Sequence, residues 1–149
     1  MNIYTIGFTQ KSAEEFFELL QQNNIKSILD IRLNNSSQLA GFTKGRDLKF
    51  FLKRILDIEY FHDTLLSPTK QILDDYKKSR ITWSDYEEQF LRLLSERNIR
   101  ESLRDKYNNR FDNICLLCSE ATAEKCHRRL VAEYLVNMYP EYDIKIIHI

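Results

Sequence analysis

Apolar residues fall along this chain in two rhythms, short unbroken runs and longer stretches that recur at helical spacing. Ile3 to Ile6, ended by Gly7, predicts a first strand and a turn. Ser12, followed three residues later by Glu15, is a capping-box signature, and Ala13, Phe16, Phe17 and Leu20 then share one helical face, which predicts a helix over 12–23. Ile25 to Ile31 reads as a second strand, and the polar stretch 33–46, which holds two of the three glycines, reads as a loop. Leu48, Phe51, Leu52, Ile55 and Leu56 predict another amphipathic helix, and Ile58 to His62 a third strand. Ser67 before Pro68 has the form of an N-cap and first helical residue, opening a helix through about Lys78. Thr82 caps the next helix, with Trp83, Tyr86, Phe90, Leu93 and Leu94 on one stripe. Ile114 to Cys118 is an apolar strand, 122–139 a long helix, and Ile144 to Ile147 the last strand.

Strands alternate with helices and show little polar alternation, as strands covered on both faces do. The pattern predicts an α/β fold: a single-domain sandwich over 1–149 around a mostly parallel sheet of about five short strands. A helical insertion separates its third and fourth strands. A length of 149 residues suits one core rather than two.

Lys plus Arg and Asp plus Glu both number 22, so the formal net charge is zero. That balance excludes a broad nucleic-acid-binding surface and leaves room only for a local basic pocket. Aromatic residues at 12% exclude disorder as the main state. No apolar run has the length needed to span a bilayer, and the first residues have neither the basic nor the long apolar region of a secretory signal. The three cysteines, Cys115, Cys118 and Cys126, do not suggest a disulfide framework, so a cytoplasmic location is expected.

In open parallel sheets, ligands bind beyond the carboxyl ends of the strands. At that rim the sequence places Gly7, Asp30, Arg32, His62, Asp63, Cys118, Glu120 and His148. Asp30 and Arg32 lie two apart and share a face, which fits either a structural ion pair or, for the planar fork of Arg32, a bound anion. Cys118 leaves a buried strand just before a helix N-terminus, where a thiol is readily activated; Glu120 and His127 are placed for proton transfer. Arg32, Ser37, Gln38 and Arg128 are the candidate substrate-binding residues. For each cysteine and for His127 a plain packing role competes with the catalytic one.

No metal site is expected. Cys115 and Cys118, three apart on a strand, point to opposite faces, and Cys126 and His127 would diverge by about 100° on a helix of 3.6 residues per turn. No dinucleotide-binding, Walker, nucleophile-elbow or zinc-protease motif is present, so no cofactor is specified.

Tyr4-Thr5-Ile6-Gly7, Asp30-Ile31-Arg32, Leu116-Leu117-Cys118-Ser119-Glu120 and Cys126-His127-Arg128 stand in an order and spacing that resembles the domain of unknown function 488 family. The stretches Asn35 to Phe42 and Leu66 to Thr69 are similar to one branch of it. The resemblance implies an α/β domain of bacterial and phage-type cytoplasmic proteins, and implies little chemistry. Members often carry His where this chain has Phe8, so a role at that position does not transfer, and Cys115 lies outside the pattern.

Three functions compete at this stage. One is an enzyme acting on a nucleotide-like or other anionic substrate, with the 35–42 loop closing over it. The second is a non-catalytic anion or nucleotide sensor, and the third a protein-interaction module. The sequence does not indicate oligomeric state.

Overall fold

In the computed structural model, which describes residues 1–36, 40–107 and 112–149, five strands form one sheet. They are β1 (Asn2–Gly7), β2 (Ser27–Asp30), β3 (Glu59–His62), β4 (Ile114–Cys118) and β5 (Lys145–His148), in the order β3-β2-β4-β1-β5. Every pairing is parallel. β4 sits at the centre, buried along its whole length, because its run Ile-Cys-Leu-Leu-Cys offers no polar side chain to either face. Parallel neighbours need crossover connections, and helices supply them on both faces.

Side chains of each strand alternate between two apolar layers. Tyr4, Ile6, Ile28, Cys115 and Leu117 pack with Phe16, Phe17 and Leu20 of helix α1 (Ala13–Gln22) and with Leu48 of α2 (Gly45–Phe51). Ile3, Leu29, Ile114 and Leu116 pack on the other side. There they meet Tyr86, Phe90 and Leu94 of α4 (Trp83–Glu96), Ile99 and Leu103 of α5 (Ile99–Tyr107), and Leu130, Val131 and Leu135 of α6 (His127–Met138). α3 (Lys70–Lys77) adds Ile72 and Tyr76 to this second layer. The fold is therefore helix, sheet, helix in three layers, and α3, α4 and α5 lie between β3 and β4 in the chain. No helix among the described residues is long and apolar enough to cross a membrane.

The expected capping box of Ser12 with Glu15 is present, and Thr82, expected as a cap, forms a second box with Asp85. Three boundaries differ from the sequence reading. Ser67 does not cap a helix: it closes a 3-10 turn and donates its hydroxyl to the carbonyl of Ile31, while Thr69 caps α3. Part of the stretch expected as a loop over 33–46 is helical, with a 3-10 turn at Gly41–Thr43 and the start of α2 at Gly45. The last helix begins at His127 rather than at 122, so residues 119–126 form an irregular connection. That connection shapes the site.

Candidate functional site

β1, β2 and β4 end together at one rim, and the 119–126 connection folds back across it. Thr9 donates both its amide and its hydroxyl to the carbonyl of Ser119, tying the end of β1 to this connection. Gly7 permits the close approach, since a Cβ built there would lie 1.6 Å from the carbonyl oxygen of Glu120. No side chain fits in that gap.

Cys118, Cys126 and His127 meet behind the rim, each less than a tenth exposed. Cys126 is the N-cap of α6 with an extended backbone, φ −136° and ψ 138°. The expectation that Cys126 and His127 diverge by a helical step therefore fails: Cys126 precedes the helix, and its side chain turns toward Cys118. The ligand atoms of all three residues lie within 4.8 Å of one another. Cys115, by contrast, is sealed in the α1–α2 layer on the opposite face, where burial pushes its thiol upward.

The Cys118 thiol is held below the ordinary thiol range, chiefly by a hydrogen bond from the Cys126 thiol. Burial opposes this, while the amides of Ser119 and Glu120 and the positive charge of Arg128 assist it. Cys126, as the proton donor of that pair, is pushed upward. His127 Nδ1 lies 3.5 Å from the Cys118 sulfur, and Nε2 lies 2.9 Å from the carbonyl oxygen of Ile31. A carbonyl only accepts, so Nε2 carries the hydrogen. Phe90 meets the imidazole edge to face.

Arg128 is 1% exposed rather than solvated. It donates to the carbonyls of Glu120 and Ala121 and to the sulfur of Cys126. Its Nε has no hydrogen-bond partner, and among the described residues no carboxylate pairs with it. Arg128 thus acts beneath the connection, holding its backbone and leaving a buried positive charge beside two thiols.

Asp30 and Arg32 form a buried bidentate pair, with Arg32 Nε 2.8 Å from Oδ1 and one terminal nitrogen 2.6 Å from Oδ2. The same nitrogen donates to the carbonyl of Thr43, and Tyr60 donates its hydroxyl to Asp30. Phe8 lies under the guanidinium, 5.3 Å from ring centroid to carbon, and supports Arg32 from below. His62 donates to the Arg32 carbonyl, and Asp63 accepts from Lys106, Tyr107 and the Leu65 amide, which makes both of them structural.

A cleft of about 440 Å³ opens above these groups. Cys118, Glu120, His127 and Arg32 all line it, while Arg128 lies behind it. Ser37 and Gln38 fall outside the described residues. The far wall is aromatic, with Tyr76, Trp83 and Tyr86, and the indole stacks on the Tyr86 ring at 4.9 Å and 18°. Lys77 and Lys125 stand among the lining residues, so three cationic side chains face one carboxylate there. A larger cavity, about 610 Å³, lies at the amino ends of the strands, by Lys26, Ser27 and Glu59. Among the described residues its walls hold no sulfur or imidazole, so the chemistry favours the smaller cleft.

The sequence reading put Trp83 and Tyr86 on one apolar stripe of a helix and named neither of them, nor Cys126, among the site residues. Trp83 on the first turn of α4 was the available signal, since a half-exposed aromatic at a helix start above a sheet rim is a ready groove wall. Cys126 had no such signal, because its role depends on where α6 begins.

The family model described as domain of unknown function DUF488 matches residues 12–135. Neither a curated protein nor a solved structure gives a match. The match spans most of the chain and includes the Asp30–Arg32 pair, the Cys118 strand end and the Cys126-His127-Arg128 helix start, so the chain belongs to the DUF488 family.

Proposed function

We propose that this protein is an enzyme that acts on a small nucleotide-like anion in the cleft at the carboxyl end of its sheet. The observation that carries the reading is the convergence of Cys118, Cys126 and His127 on the floor of a cleft whose opposite wall is stacked aromatic rings. Buried thiols and an imidazole are a reactive set, and they face the substrate space instead of filling core. Glu120 at the mouth is the group for proton transfer. Lys77 and Lys125, with the field of Arg128 behind the floor, favour an anionic group. The Trp83 and Tyr86 rings suit a planar base, which stacks on aromatic side chains.

The test is a thermal-shift screen of the purified protein with nucleoside phosphates and sugar phosphates, since any ligand of the native state raises its stability. Each compound that raises the melting temperature is then followed by phosphorus NMR for conversion. The reading expects a nucleotide ligand that is converted, with conversion lost in Cys118→Ser and Glu120→Gln. A ligand that binds and stays unchanged makes the protein a sensor, and no ligand at all removes the cleft from consideration.

A further inference from the structure

We infer that Cys118, Cys126 and His127 form a three-ligand site for zinc, with the fourth coordination position open to the cleft. The inference uses the same side chains as the proposed active site and deepens that reading by naming its cofactor.

The argument begins with distance. A tetrahedral zinc ion with a Zn–S bond of about 2.3 Å and a Zn–N bond of about 2.05 Å separates sulfur from nitrogen by about 3.6 Å. The Cys118 sulfur and His127 Nδ1 are 3.5 Å apart, and the Cys126 sulfur completes a triangle in which no ligand atoms are more than 4.8 Å apart. Soft thiolates with one imidazole select zinc over the harder magnesium and calcium ions.

The imidazole gives a second, independent observation. Zinc-bound histidine ordinarily donates its other ring hydrogen to a carbonyl or carboxylate, which fixes tautomer and orientation. His127 does this toward Ile31, and the nitrogen left for a metal is the one nearer the Cys118 sulfur. The Cys126 sulfur is supported in the same way, since the Arg128 guanidinium donates to it at 3.6 Å. Two thiolates and a neutral imidazole would bring two negative charges to a divalent ion. The buried Arg128 cation then has a neutral metal centre for a neighbour, not a second bare cation.

No fourth protein ligand joins the cluster among the described residues. Three protein ligands and one open position characterise catalytic rather than structural zinc, where water or a substrate oxygen takes the remaining place. Binding moves no electrons: the thiol hydrogen shared between the two sulfurs, and any second thiol hydrogen, leave as protons to solvent.

The experiment uses the full chain, stripped with a chelator under reducing conditions and then titrated with cobalt(II) as a zinc probe. The expected result is one equivalent bound, with a thiolate-to-cobalt charge-transfer band and the intense visible bands of a four-coordinate ion. Zinc should displace the cobalt and slow alkylation of Cys118 in the wild-type protein, a readout that needs no variant to fold. Cys126→Ser should weaken binding by more than about tenfold, the scale at which even outer-shell losses are felt. Cys115→Ser should bind as wild type does. Absence of the charge-transfer band, unchanged alkylation with zinc, or equal affinity in Cys126→Ser overturns the inference. A nucleotide that binds and is converted by the metal-free protein overturns only the metal site; zinc binding with no response to any nucleotide overturns only the proposed substrate.

Discussion

His127 donates its Nε2 hydrogen to the carbonyl of Ile31, 2.9 Å away, and so joins the first turn of α6 to the chain just beyond β2. The bond is buried and holds the ring with Nδ1 at 3.5 Å and Nε2 at 3.7 Å from the sulfur of Cys118. His127→Ala should remove one of the two hydrogen bonds to the Ile31 carbonyl, to which Ser67 still donates, so the stability loss should be about 1–2 kcal/mol rather than a collapse of the fold. Urea denaturation measures it. A loss above that range would mean that the imidazole also fills a packing role against Phe90.

Asp30 and Arg32 behave differently, because both are almost fully buried and, among the described residues, neither has another partner of opposite charge. Removing one member of a buried ion pair leaves the other uncompensated, at a cost of about 3–5 kcal/mol. Arg32→Ala and Asp30→Asn should each lower the denaturation midpoint sharply. The double variant should lose less than the sum of the two, because no bare charge remains. Strict additivity would show that the two groups act independently, contrary to their bidentate geometry.

Gly7→Ala tests the closure of the rim. The added methyl meets the Glu120 carbonyl and a terminal nitrogen of Arg128 at once, and neither backbone segment can retreat without breaking the Thr9–Ser119 clasp. Overpacking of this kind costs about 1–3 kcal/mol and displaces the connection that joins Cys118 to α6 and carries Cys126. The check is paired: a lower midpoint, together with a changed alkylation rate of Cys118.

Much of this arrangement could be read from the chain. All five strands, the capping box at Ser12, the cap at Thr82 and the three-layer consequence followed from apolar runs and capping residues, which report local physics directly. The opposite faces of Cys115 and Cys118 followed from strand periodicity. What could not be read were relationships set by tertiary context. Ser67 and Thr69 are both good N-caps ahead of the same apolar stripe, and only the nearness of the Ile31 carbonyl decides that Ser67 turns away. The start of α6 escaped for a similar reason. Residues 122–126 have helical propensity, yet the Thr9 clasp and Arg128 hold the 119–121 backbone in a conformation that delays the helix to His127.

His148 predicts a pH dependence. Its Nδ1 is 2.7 Å from the Thr5 hydroxyl, and burial, then the charge of Arg128, lowers its pKa; Arg129 acts in the same direction and Glu133 against it. A depressed histidine resists protonation in the folded state, so on acidification the unfolded chain takes up the proton first. This contribution to stability is complete above the unfolded value of about 6.5 and is lost as pH falls below it. Carboxylates add their own slope at lower pH, so the informative quantity is the difference between wild type and His148→Gln. The variant should show the shallower fall in denaturation midpoint between about pH 7 and 5.5.

The aromatic wall gives the most direct separation of substrate binding from folding. Trp83 is half-buried on the first turn of α4, stacked on Tyr86, and reaches the cleft without entering the strand layer. Stacking of a base on such a ring is worth about 1–3 kcal/mol. Trp83→Leu should therefore weaken a bound nucleotide by roughly tenfold to a hundredfold, at about 1.4 kcal/mol per factor of ten. Lys125→Ala should weaken it too, but through charge, so its effect should shrink as salt rises while that of Trp83→Leu persists. Calorimetric titration at two ionic strengths separates these contributions. If the tryptophan variant binds as wild type does and the lysine variant does not, the cleft recognises an anion without regard to a base. If both bind unchanged, the ligand sits elsewhere, and the rings of α4 serve only to cover the second apolar layer.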